Sequence, residues 1–126
     1  MAHPYHHSLS SVKKYGGVWQ DYIKIHSWFD QTKGLLTDGR HRALLHSAFG
    51  IMLCEQVFGP TFTRADGKVL PVRWIGEQHV TEDMGSIPSV EKWFEELPLR
   101  DWMYKRSRRL SEEPLPDELK ENNNVS

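Results

Sequence analysis

The chain has a single cysteine, Cys54, in 126 residues. No disulfide can form within it, and a structural zinc site of the cysteine-rich kind is excluded. Cys54 lies in an apolar run, where a thiol is expected to be buried and inert. Charge of one sign is also missing: 16 basic against 17 acidic residues leave a net charge of -1, so no overall field points to nucleic acid. No stretch approaches the ~20 apolar residues that span a bilayer. The first residues carry no apolar segment of signal-peptide length, so a cytoplasmic protein without a membrane partner is expected. No glycine-rich phosphate loop, Gly-x-Ser-x-Gly elbow or zinc-protease helix motif occurs.

What is present suits one small domain. Five Trp, five Phe and four Tyr supply large core pieces, each burying ~150–250 Å². The expected fold is mainly α with one β-hairpin (α+β), a small single-domain helical core over residues 1–106. Residues 107–126, acidic and rich in Pro and Asn, form a charged tail expected to be disordered from about Ser111.

Ser8 to Tyr15 reads as a short helix stopped by Gly16-Gly17. From Val18 to Lys33, Trp19, Tyr22, Ile23, His26 and Phe29 recur at helical steps. Thr37-Asp38 offers a cap for a long central helix, Gly39 to Phe58, with Leu44, Leu45, Ala48, Phe49, Met52, Leu53 and Val57 as its core face. Asp66-Gly67 between Thr61–Thr63 and Val69–Arg73 is a hairpin signal, and Pro71 places its strand at an edge or bulge. Helices over Ile75–Met84 and Val90–Glu96, the second capped by Ser89, and a turn over Pro98–Tyr104 complete the expectation.

The chemistry-bearing residues are histidines and carboxylates at helical spacings. His26 and Asp30, and likewise His79 and Asp83, lie four apart, one turn above each other on a helix face. Such a pair can hold one cation, or the carboxylate can orient the imidazole. Glu82 lies beside the second pair. The plain alternative is a surface pair worth a few tenths of a kcal/mol, or, for His26, a core histidine with a satisfied partner. His41 and His46, five apart and so about 140° round a helix, do not form a one-helix chelate. Asp38, Arg42 and His46 follow four-residue steps, and His41 and Glu55 lie at opposite ends of the apolar stripe, from where both could point inward. Arg40 and Arg42 at a helix start suit an anion, or else form a solvated charged turn. His3, His6 and His7, interrupted by Pro4 and Tyr5 and so read as native, can fold back on a site or fray, with Pro4 holding them extended. Lys105, Arg106, Arg108 and Arg109 beside Trp102 and Tyr104 make a small basic patch, read as a solvated helix end.

The segments His3-Pro4-Tyr5-His6-His7, Ile25-His26-Ser27-Trp28-Phe29-Asp30, Arg40-His41-Arg42-Ala43-Leu44, Pro71-Val72-Arg73-Trp74-Ile75-Gly76-Glu77-Gln78-His79 and Glu82-Asp83-Met84-Gly85, taken together, resemble a family of small proteins of unknown function from bacteria and their phages. The resemblance covers about residues 2 to 103 and implies no established activity. A phage origin implies, by association alone, a host-directed or defence-related role.

The reading carried forward is a divalent metal (zinc, manganese, iron or nickel) at a site that binds or acts on a phosphate-containing small molecule or nucleotide. His26, Asp30, His79 and Asp83 are the first-choice ligands, His46, His41 and Glu82 the reserve, and Arg40 and Arg42 hold the anion. Its rival is a non-catalytic protein that contacts a host protein through Trp93, Trp102 and the basic cluster, with a homodimer as a further option. A third reading makes the histidines an acid-sensitive core.

Overall fold

The computed structural model describes residues 2–104 and 114–120. Helix α1 spans Pro4–Tyr15 and is longer than the sequence suggests. Pro4 occupies its first turn, where a missing N–H costs nothing, and the His3 ring caps it by accepting from the Tyr5 amide at 3.0 Å. The segment expected to be extended is therefore helical. Gly16, with φ of 85°, ends it.

The expected helix from Val18 to Lys33 is broken into a 3-10 turn at Trp19–Asp21, helix α2 at Ile23–Phe29, and a second 3-10 turn at Gln31–Gly34. Asp21 turns back to accept from the Val18 amide at 3.0 Å. Tyr22, Ile25, His26 and Phe29 are nonetheless buried, as the stripe requires.

The long central helix is not formed. Gly39–Arg42 is a 3-10 turn capped by Asp38, residues 43–47 turn, and helix α3 starts only at Ala48 and runs to Phe58. Ser47 caps α3 by accepting from the Gly50 amide at 3.0 Å. The cause of the break is a close approach: a Cβ on Gly50 would overlap the backbone of Leu45. Most of the expected core face is consequently outside, with Leu44, Phe49, Met52 and Val57 exposed and Leu45 buried.

Strands β1 (Thr61–Thr63) and β2 (Val69–Pro71) pair antiparallel, Phe62 opposite Leu70, around Gly67 at φ of 92°. Helix α4 begins directly at Val72 and runs to Met84, closed by Gly85 in the left-handed conformation. It is the true centre of the fold, lying against α1, α2 and α3. Val72, Ile75 and Val80 of α4 join Tyr22, Ile25, Phe29, Leu45, Ile51, Cys54 and Leu70 in the core. Gly76 lets α4 approach Phe29 and Ile51, where an added Cβ would lie 3.1 and 3.3 Å from their side chains. Cys54 is buried, and burial pushes its thiol up to about 12.

Helix α5 (Val90–Glu95), capped by Ser89, a 3-10 turn at Asp101–Met103 and helix α6 (Asp117–Lys120) follow. The basic cluster Lys105–Arg109 and most of the expected tail lie outside the described residues. Among the described residues no helix is long and apolar enough to cross a membrane.

These contacts rank two glycines. Gly50→Ala is expected to leave no cooperative unfolding transition, because backbone must move. Gly76→Ala meets side chains that can shift and should cost about 1–3 kcal/mol, seen as a lower urea midpoint at unchanged slope.

Candidate metal centre

Polar side chains from four segments meet beneath α4. His7, His26, His46 and His79 are each at most 2% exposed. Asp83, in the last turn of α4, is the hub. Its Oδ1 accepts from His7 Nε2 at 3.1 Å, and its Oδ2 lies 3.0 Å from His46 Nε2 and 3.2 Å from His79 Nε2. Asp30, ending α2, brings Oδ1 to 3.2 Å from His79 Nε2 and 3.7 Å from His46 Nε2. Its other oxygen faces Lys33 Nζ at 3.2 Å.

The two sequence pairs therefore meet crosswise. His79 and Asp83 touch within one helix, whereas His26 does not touch Asp30. His26 Nδ1 instead faces His79 Nδ1 at 2.9 Å, and its Nε2 faces Ser11 Oγ at 2.8 Å. His46 enters from the turn that interrupts the expected helix, so its angular relation to His41 on a continuous helix no longer applies. His41 is buried but points at the Asp38 carbonyl, 2.6 Å away, outside the cluster. Glu82 receives His7 Nδ1 at 2.8 Å and stands beside the donor set. Arg40 is exposed and clamped on Asp38 by contacts of 2.8 to 3.1 Å. Arg42 reaches the site, 3.9 Å from Asp83 Oδ1. Glu55 is half-buried on the other face of α3, beside Arg73 and Glu77.

The sequence reading left three partners out of the ligand and reserve sets. His7 and Ser11 lie four apart on α1 and both face the cluster, and Gln78 adjoins His79. The four-residue step from His7 to Ser11 is the signal that places both on one face of α1.

Charge states follow from surroundings. Burial alone would lower His7, but hydrogen bonds to Asp83 and Glu82 win and hold it above 6.5, with one ring nitrogen on each carboxylate. Burial drives His26 down to about 2, and the nearby His79 and His7 add to the effect. Burial also lowers His46, offset in part by Asp83. The carboxyl of Asp83, which burial would raise, is held well below the usual range by hydrogen bonds from His46, His7 and His79. Asp30 is lowered by His79 and Lys33 against the same burial effect.

Two groups of donors are close enough to hold an ion: His7, His26 and His79, and Asp30, His46, His79 and Asp83. The partners of His7 separate them. In the first, both His7 nitrogens already face carboxylates, Nδ1 on Glu82 at 2.8 Å and Nε2 on Asp83 at 3.1 Å, which leaves that ring no nitrogen for an ion. In the second group the rings of His46 and His79 are inclined at 58°. Its four nitrogen–oxygen separations run from 3.0 to 3.7 Å. A tetrahedral site with bonds of ~2.0–2.1 Å has donor–donor edges of ~3.3 Å. Two carboxylates would also balance a divalent charge in a site removed from water.

The fold and this cluster define a small α+β domain built around buried histidines and carboxylates. The chain belongs to the family of a domain of unknown function, DUF6915, whose model matches residues 2–103. No curated protein and no solved structure matches it.

The charge states predict how stability of the metal-free protein varies with pH. Below about 6.5 the unfolded chain protonates His26 and His46 more readily than the native state does, so stability falls as pH drops. His7 acts oppositely: its raised value stabilises fully below 6.5 and is lost as pH rises through the folded value. Urea midpoints of chelator-treated protein between pH 5 and 8.5 should peak near the ordinary histidine value of 6.5, rather than plateau.

Proposed function

We propose that this protein binds one divalent transition-metal ion through Asp30 Oδ1, His46 Nε2, His79 Nε2 and Asp83 Oδ2. The observation that carries the reading is the set of four nitrogen–oxygen separations of 3.0 to 3.7 Å among donors drawn from α2, the turn before α3, and α4. A mixed nitrogen and oxygen set suits zinc, manganese, iron or nickel and disfavours ions that prefer thiolate. His26 stands behind His79 as the outer partner that metal-bound imidazoles usually have. His46 Nδ1 is buried without a partner, so Nε2 is its only engaged ring nitrogen.

The ion is held rather than presented to a substrate. All four donors are buried, as in closed structural sites, and the main surface cavities are lined by other residues. A protein that binds without turnover fits this better than a hydrolase. Action on a phosphate-containing ligand has narrower support. Arg42 adjoins Asp83, and its Nη1 lies 3.7 Å from Met84 Sδ. Met84, Lys92 and Trp93 line a cavity of about 220 Å³, and Trp93 donates to the His46 carbonyl at 2.9 Å. A phosphate there would meet Lys92 but also the Glu96 carboxylate, with Arg42 reaching that lining only at Met84 and Arg40 remaining on Asp38.

Elemental analysis of protein purified without chelator tests the reading. One equivalent of metal is expected in the parent and in Arg40→Ala, and background levels in His46→Ala and His79→Ala. A protein with no metal that also shows no rise in melting temperature with added zinc or manganese would overturn it.

A further inference from the structure

The side chain of His79 is the junction between the donor set and a hydrogen-bonded chain that leads away from it, and the polarity of that chain can be read from its far end. Gln78 Nε2 lies 3.0 Å from the His7 carbonyl and 3.1 Å from Glu82 Oε1. Both are acceptors, so the amide is fixed with nitrogen there and Oε1 toward Ser11, 2.7 Å away. Gln78 Oε1 has no hydrogen, and the single Ser11 proton must therefore point at it. Ser11 Oγ can then only accept from His26 Nε2 at 2.8 Å. His26 touches Ser11 and His79 but no carboxylate, and a buried imidazolium without one is costly, so it carries its one proton on Nε2 and is bare at Nδ1. The 2.9 Å contact between the two Nδ1 atoms then requires the proton of His79.

A neutral His79 with its proton on Nδ1 turns a bare Nε2 lone pair toward Asp30 Oδ1 and Asp83 Oδ2, each 3.2 Å away. Three electron-rich atoms so close need a positive charge between them. From this we infer that Gln78, Ser11 and His26 are positioning residues that force His79 to offer Nε2 as a lone pair to a cation, with a divalent metal ion as the occupant. The inference rests on the metal reading for the occupant but not for the direction of the chain.

Long-range proton–nitrogen correlation spectra of nitrogen-15-labelled protein, chelator-treated and then given one equivalent of zinc, test both parts separately. In the metal-free spectrum His26 is expected as the Nε2–H form and His79 with a proton on Nδ1. With zinc, His26 should stay unchanged while His79 keeps Nδ1–H and its Nε2 resonance moves to that of a metal-bound nitrogen. Ser11→Ala and Gln78→Leu should weaken zinc binding about 10–100-fold, the usual effect of losing an outer partner, with all four donors intact, and Ser11→Thr should restore it. His26 found as the Nδ1–H form, in either state, would overturn the chain. So would zinc affinity that is unchanged in both variants. If His26 has the expected form and zinc leaves His79 unaltered, the chain stands and the metal reading falls. Should Ser11→Ala fail to fold, the parent spectra and Ser11→Thr still decide.

Discussion

The carboxylate of Asp83 is the point on which the rest of the site, and much of the packing around α4, depends. One oxygen takes His7 from α1, and the other faces His46 from the turn before α3 and His79 from its own helix. A carboxylate only 4% exposed at its side chain is tolerable because partners surround it on every side. Removing one partner leaves charge stranded in a medium that solvates it poorly, an effect that commonly exceeds the worth of the pair itself. Asp83 therefore ties three segments together by necessity as much as by attraction, and the apolar core is arranged around that knot. Phe29 shows the connection: its ring stacks on His79 at 5.0 Å while its edge meets the backbone face of Gly76.

Local chemistry explains what the sequence made legible. The hairpin follows from Asp66-Gly67, and the caps at Asp38 and Ser89 follow from short oxygen-bearing side chains. Helix α4 and its Gly85 terminus were readable from pattern and turn residue together. The family resemblance over residues 2 to 103 was legible too, and the DUF6915 match covers the same span. What could not be read is tertiary. Continuous helical pattern from Gly39 to Phe58 gives no hint that Leu45 must sit against Gly50, and that approach breaks the helix and delivers His46 to the cluster. The apolar face counted there as core is half outside for the same reason. Spacing put His79 and Asp83 on one face, and they do touch. The equal spacing of His26 and Asp30 created no contact, since α2 ends at Phe29 and the two side chains diverge toward different partners.

The same reasoning separates residues that look alike in sequence. Arg40 and Arg42 are two apart at one turn, yet Arg40 closes on Asp38 in the open and Arg42 folds over Asp83. His41 and His46 are both buried, yet only His46 has a ring nitrogen among the carboxylates. Ser11 and Gln78 were the least visible of all, and His7 was legible only as one of three histidines able to fold back, because their roles depend on α1 crossing α4, and no local pattern encodes a crossing.

A domain of about 100 residues has a net stability of only ~5–15 kcal/mol, and well-packed apolar residues in place of a buried charged network are often neutral or stabilising. A small protein that devotes its centre to four histidines and two aspartates is thus carrying a cost that its fold does not require. An ion bound only by the native state offsets it directly, by about 4 kcal/mol when present at a thousandfold excess over its dissociation constant. It would also place a positive charge between the His79 lone pair and two carboxylates, each 3.2 Å away. The chain from Gln78 to His26 gives the argument its direction. If the cluster served packing alone, either proton order along it would do, whereas the fixed amide of Gln78 selects the one order that leaves a ligand atom facing the aspartates.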